Sequence, residues 1–186
     1  MLKIASLMHP KGDIWDLRGE SEIAQIFISW TEQQGINSIQ FLYVDKNNDY
    51  ILSDRYGGNP GTKFKTVKLN PPSEFLTRLS GRNIGIGTDA EEGFVASSIS
   101  FETNKNTYGP FGYRRRKLVT DTDTDTFDFQ MGDDKQFAGF HGSTNFGCLE
   151  SIGVYVKPQS KITKVEREED HKPSRWIFFP CFKGIR

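Results

Sequence analysis

Two cysteines, Cys148 and Cys181, are all that this sequence contains, too few for a disulfide framework to carry the fold. No Asn-x-Ser/Thr sequon occurs, so nothing marks a glycosylated surface loop. No apolar run reaches the roughly 20 residues of a membrane-spanning helix. The first ten residues are broken by Lys3 and His9 and lack the apolar core and small-residue cleavage site of a secretory leader. Net charge is missing too: 24 basic side chains balance 24 acidic ones, which argues against a global grip on nucleic acid or anionic membrane. Histidine is scarce, and His9 and His171 stand isolated, without metal-ligand spacing. No metal or other cofactor is implied, nucleic acid is not an expected partner, and a cytoplasmic or nucleocytoplasmic location fits best.

What is present points to sheets. The chain of 186 residues can bury a core without staples. Its 15 Phe and 18 Gly suggest strands joined by turns. The most informative feature is an internal repeat. Ser38-Ile39-Gln40-Phe41, Ser98-Ile99-Ser100-Phe101 and Ser151-Ile152-Gly153-Val154 share one pattern, with starts 60 and 53 residues apart. An apolar segment precedes each: Ile23 to Ile28, Phe75 to Leu79 and Phe137 to Phe140. Further strand-like runs, Phe64 to Leu69 and Thr126 to Met131, lie upstream of the last two and read as members of those units.

The runs alternate with period 2, as Ile39, Phe41 and Tyr43 do against Gln40, Leu42 and Val44. Turn chemistry separates them, at Asp45-Lys46-Asn47-Asn48-Asp49, Gly57-Gly58-Asn59-Pro60-Gly61 and Asn70-Pro71-Pro72. Ser21 to Trp30 carries β-branched and aromatic residues without a 3.6-residue period, so a helix there is weakly supported. Three sheets folding apolar faces onto one axis would bury what no single unit could.

Several motifs have ordinary explanations. Asp121, Asp123 and Asp125 mimic the start of a calcium loop, but its sixth and twelfth positions are Thr126 and Gly132. Arg114-Arg115-Arg116-Lys117 sits beside that acidic run and reads as part of a charge-balanced exposed hairpin. Cys148 and His141 could suggest a nucleophile and base, yet no orienting third residue or oxyanion element accompanies them. The chain does not read as an enzyme.

Trp15-Asp16 after Gly12, Thr107-Tyr108-Gly109-Pro110-Phe111-Gly112, Gly139-Phe140-His141-Gly142 and Leu149-Glu150-Ser151-Ile152-Gly153-Val154-Tyr155 resemble the plant jacalin-related lectins. The resemblance implies an all-β fold, a β-prism of three Greek-key four-stranded sheets with pseudo-threefold symmetry, over residues 1–158. It also implies a mannose- or glucose-type carbohydrate as ligand, a cytoplasmic setting and a homo-oligomer. That family carries Gly-x-x-x-Asp just before its last strand. Here the aligned residues are Phe146-Gly147-Cys148-Leu149-Glu150, in a loop one residue longer. By resemblance Gly147 and Cys148 supply main-chain amides, Glu150 the carboxylate, and Gly12 a backbone contact from the first loop. Glu reaches about 1.5 Å farther than Asp, and Phe146 stands where the family uses glycine's conformational freedom.

Residues 159–186 form a charged linker and an aromatic tail, Trp176-Ile177-Phe178-Phe179-Pro180-Cys181-Phe182. Three readings stay open: docking on its own domain, contact with a protein or membrane surface through Trp176, Phe178, Phe179 and Phe182, and an unstructured end. A second functional class therefore accompanies the first. It is a non-catalytic interaction factor on a lectin fold in plant defence, since single-domain plant proteins resembling this chain are linked to restriction of virus movement.

Overall fold

The computed structural model describes residues 1–158 except 8, 21, 33, 59–60, 87–92 and 113–123. The basic run at Arg114, the aspartates Asp121 and Asp123, and the tail with Trp176, Phe178, Phe179, Cys181 and Phe182 lie outside the described residues. Among the described residues every regular element is a strand. In chain order these are β1 (Leu2–Ala5), β2 (Asp13–Arg18), β3 (Glu22–Thr31), β4 (Gly35–Val44), β5 (Tyr50–Leu52) and β6 (Tyr56–Gly57). There follow β7 (Lys63–Lys68), β8 (Leu76–Gly85), β9 (Phe94–Thr103), β10 (Thr107–Gly112), β11 (Thr124–Gln130), β12 (Phe137–Asn145) and β13 (Cys148–Val156). The segment that carried a weak helix reading is β3, as its β-branched residues favour.

The strands form three antiparallel sheets with one topology. One has the order β10-β9-β8-β11, and another β5-β4-β3-β7 with β6 also pairing β4. The last has the order β1-β13-β12-β2, so both ends of the domain complete a single sheet. Each is a Greek key in which the fourth strand returns beside the first. This corrects the assignment of two strands. The run at Phe64 is β7 and pairs with β3, and the run at Thr126 is β11 and pairs with β8. Each closes the preceding sheet instead of opening the next, because the free edge of the central hairpin needs a partner.

The repeat marks the axis. Ile39, Ile99 and Ile152 are fully buried, as are Phe41, Phe101 and Val154 two residues on. Rings of the three sheets meet there: Phe140 stacks on Phe41 at 4.4 Å and takes Phe101 edge-on at 6.2 Å. Each such ring contributes about 2–3 kcal/mol by burial. The repeat serines have a local role as well. Ser29 pairs with Ser38 and Ser143 with Ser151, each through a buried 2.7 Å hydroxyl contact.

A β-bulge follows at the same place in all three sheets. Ser38 opposes Ser29 but Ile36 opposes Trp30, so Asn37 is skipped. Ser97 and Glu150 are skipped in the same way. A bulge re-aims its extra residue, and all three of these polar side chains are buried. At the opposite end of the prism Glu74 is a comparable hub. Its Oε1 accepts from Thr103, Asn106 and Tyr108 at 2.8, 3.2 and 2.9 Å, and its Oε2 from the Asn70 amide at 3.3 Å. Burial pushes this carboxyl up, but the hydrogen bonds outweigh it and the net shift is downward.

Candidate functional site

The turn joining β12 to β13 holds the residues singled out in the sequence. Asn145 and Cys148 are its closing pair, with Phe146 and Gly147 between them. Both central residues have positive φ, 50° and 72°. That is the pattern of a two-residue hairpin turn matched to the twist of its strands. Glycine adopts it freely, whereas a side chain at Phe146 makes it strained.

Neighbouring loops are drawn tightly onto this turn. A Cβ on Gly12 would lie 1.9 Å from the Thr144 carbonyl oxygen, and one on Gly58 2.5 Å from the Gly147 carbonyl oxygen. The Gly58 amide donates to that Gly147 oxygen at 2.9 Å. Only glycine permits backbones to approach so closely.

Glu150 ties the assembly together. Re-aimed by the bulge and only 1% exposed, it accepts from the Lys11 amide on Oε1 and the Gly12 amide on Oε2, both at 3.0 Å. Asn145 Nδ2 donates to Oε1 at 3.5 Å, and Asn145 Oδ1 accepts from the Phe146 amide at 3.0 Å. This differs from the sequence expectation. The resemblance implies a backbone contact from Gly12 and the carboxylate of Glu150 on a sugar, and here the Gly12 amide donates to that carboxylate.

Cys148 also differs from a rim residue. Its side chain is 7% exposed, with the Asn37 amide nitrogen 3.8 Å from its sulfur. Burial pushes its thiol pKa up, which disfavours the reactive thiolate. His141 gives it no base. Its Nε2 lies 2.9 Å from the Ile4 carbonyl oxygen, and the register places it four positions along β12 from the closing pair, about 13 Å at strand rise.

The structure thus brings Gly12, Gly147, Cys148 and Glu150 to one end of the prism, with the first and last of them locked together. Sequence reasoning missed Asp13 and Asn145 on the outward side of that rim, and it singled out Phe146 only as a departure from glycine. Asp13 is exposed and pairs across to Thr144. Asn145 is half-buried, and Phe146 is 66% exposed. Asn-x-Gly at a hairpin tip was the available signal for the turn. The resemblance placed the first loop beside this hairpin, but nothing in the sequence reports that Glu150 would bond to its amides, 138 and 139 residues away.

Comparison with known proteins agrees with this architecture. Residues 6–155 match the jacalin-like lectin domain family. Protein RESTRICTED TEV MOVEMENT 1 of Arabidopsis thaliana is 36% identical over 144 residues, covering 77% of this chain and 76% of the relative. Jacalin-related lectin 2 of the same plant is 37% identical over 136 residues, covering 73% and 72%. Among solved structures, artocarpin in complex with mannopentose superposes with a TM-score of 0.68 at 27% identity, over 84% of this chain and 97% of that one. The mannose binding lectin from Champedak does so with 0.64 at 26%, over 85% and 99%. With its three Greek-key sheets, its pseudo-threefold repeat and a family match across nearly the whole described domain, the chain belongs to the jacalin-like lectins, a carbohydrate-binding and non-enzymatic family.

Proposed function

We propose that this chain is a carbohydrate-binding module for a hexose of the mannose or glucose type. The hexose is held on the rim formed by the first loop and the β12–β13 turn. One observation carries the reading: the buried Glu150 carboxylate joins the Lys11–Gly12 loop to the last hairpin, so the rim is rigid before a ligand arrives. A shallow site gains little from desolvation, and a preformed rim reduces the ordering cost of binding.

In this reading Glu150 is a positioning residue. Main-chain groups of Gly12 and Gly147, the Asp13 carboxylate and the Asn145 amide face the hydroxyls, with Cys148 as part of the floor. Two structural neighbours, artocarpin in complex with mannopentose and the mannose binding lectin from Champedak, support the mannose type. The rest of the proposal is a cytoplasmic setting, a lectin domain over residues 1–158 and a separate tail over 159–186. Calorimetric titration of the full chain with methyl α-mannoside and a mannotriose tests it, with micromolar to millimolar dissociation constants expected. No heat with any hexose or manno-oligosaccharide at 10 mM ligand would remove it.

A second reading is a protein-interaction factor in plant defence, such as restriction of virus movement. It is supported by the name of one relative. Deletion of residues 159–186 tests the tail's part in it. Unchanged location and partners in plant cells would exclude the tail.

A further inference from the structure

The β12–β13 turn places a large apolar ring where the fold gains least from one. Phe146 has φ 50°, is 66% exposed, and has no stacking partner among the described residues. A residue at this position has reason only to be small or to hydrogen-bond its own backbone. The backbone of the turn is nevertheless held firmly. Asn145 Oδ1 accepts the Phe146 amide, Gly58 donates to the Gly147 carbonyl, and Asn145 is itself tied to Glu150. The ring leans toward Gly93, whose added Cβ would lie 3.4 Å from Phe146 Cε2. A strained conformation that its surroundings over-determine marks a functional position more often than a structural one.

Resting on the carbohydrate reading above, we infer that Phe146 is the stacking platform of the site and takes the C–H face of a pyranose ring. The chemistry around it selects that ligand. A pyranose combines one small apolar face with a rim of hydroxyls. Phe146 supplies a matching aromatic face, and Asp13, Asn145 and the exposed backbone at Gly147 supply the polar edge. A protein or lipid contact would need a broader apolar patch. Among the described residues the exposed large hydrophobic nearest in this sheet is Ile14. It alternates with Asp13 and Trp15 and so projects from the opposite face of β2.

The platform also assigns Phe146 a role in specificity. A pyranose would stack through the face that carries more of its axial C–H bonds, which for methyl α-mannoside is the face with the C3 and C5 hydrogens.

The test is titration of full-length wild type, Phe146→Gly, Phe146→Leu and Phe146→Trp with methyl α-mannoside and a mannotriose, alongside their melting temperatures. Loss of the ring in the Gly and Leu variants should weaken binding about tenfold, and Trp should stay within about threefold of wild type. Gly should at the same time raise the melting temperature by about 2–4 °C, since it adopts positive φ without strain. Ile14→Ala should bind as wild type does.

Wild-type affinity in Phe146→Gly or Phe146→Leu overturns the platform and leaves the carbohydrate reading standing. Equal weakening in Phe146→Trp and Phe146→Gly also overturns it, as does loss of binding in Ile14→Ala, which would point to a protein-type patch. A wild-type chain that binds no sugar removes the carbohydrate reading and the platform with it.

Discussion

Replacing Glu150 by Gln leaves the shape of the side chain but exchanges one acceptor oxygen for an NH2 group. In the native protein each carboxylate oxygen faces a backbone N–H at 3.0 Å. After the exchange one N–H faces another donor. A hydrogen bond to a charged group contributes about 1.5–3 kcal/mol net, and a neutral one about 1 kcal/mol. The Gln variant therefore loses one charged bond outright and weakens the other, about 2–4 kcal/mol in all. Lys11 is exposed and Gly12 half-buried, so water partly re-satisfies the two amides once the loop lifts. The lower half of that range is expected.

Urea unfolding followed by tryptophan fluorescence reads the effect. With a slope of about 2 kcal/mol per molar, the midpoint should fall by about 1–1.5 M without a change of slope. Amide exchange gives a local readout, since the Lys11 and Gly12 amides should be protected in the wild type and lose that protection in the variant. A Gln variant with an unchanged midpoint and a still-protected Gly12 amide would refute the role given to Glu150 in fastening the first loop.

Other perturbations follow from the same contacts. Gly12→Ala places a Cβ 1.9 Å from the Thr144 carbonyl oxygen, so the first loop must move away from the hairpin. Sugar affinity should drop at least tenfold while circular dichroism stays sheet-like. His141 is held below its ordinary pKa by burial first and by Lys3 second, against the opposing pull of Ile4, Asp16 and Val154. A lowered histidine pKa means the unfolded chain binds the proton more readily. Stability is therefore full above the unfolded value of about 6.5 and falls as pH drops through and below it. Melting temperatures from pH 8 to 5 should decline more steeply for wild type than for His141→Phe, and equal slopes would contradict this. Glu74 is shifted the other way, so its stabilisation is present above the unfolded glutamate value of about 4.3 and is lost as pH falls toward the lower native value. Glu74→Ala strips four donors of their acceptor and should cost about 3 kcal/mol at pH 7, measured by urea unfolding.

Much of the fold was readable because it is periodic. Ser38-Ile39, Ser98-Ile99 and Ser151-Ile152 announced three equivalent hairpins, and alternation at Ile39, Phe41 and Tyr43 announced the buried face of one. The allocation of β7 and β11 to sheets was not readable. Edge pairing depends on which strand is left unpaired after the central hairpin closes, and local pattern is silent about that. Within the site, Phe146 could be recognised as a departure from glycine, and the structure gives its consequence as a strained, solvent-facing ring.

Glu150 was the residue whose surroundings the sequence hid most. Its direction is set by a bulge that shifts the register between Ser143 and Thr144. Its partners come from a loop 138 and 139 residues away. A carboxylate read as facing a ligand is, in the folded chain, the fastening beneath the rim.

The most direct test of the rim as a binding surface is backbone-amide NMR of the full chain titrated with a mannotriose. Shifts are expected to cluster at Lys11 to Asp13, Gly58, Gly93 and Thr144 to Cys148, with the distant hub around Asn70, Glu74 and Tyr108 unmoved. A titration that left the hairpin end silent, or that moved the Glu74 end in its place, would contradict the account.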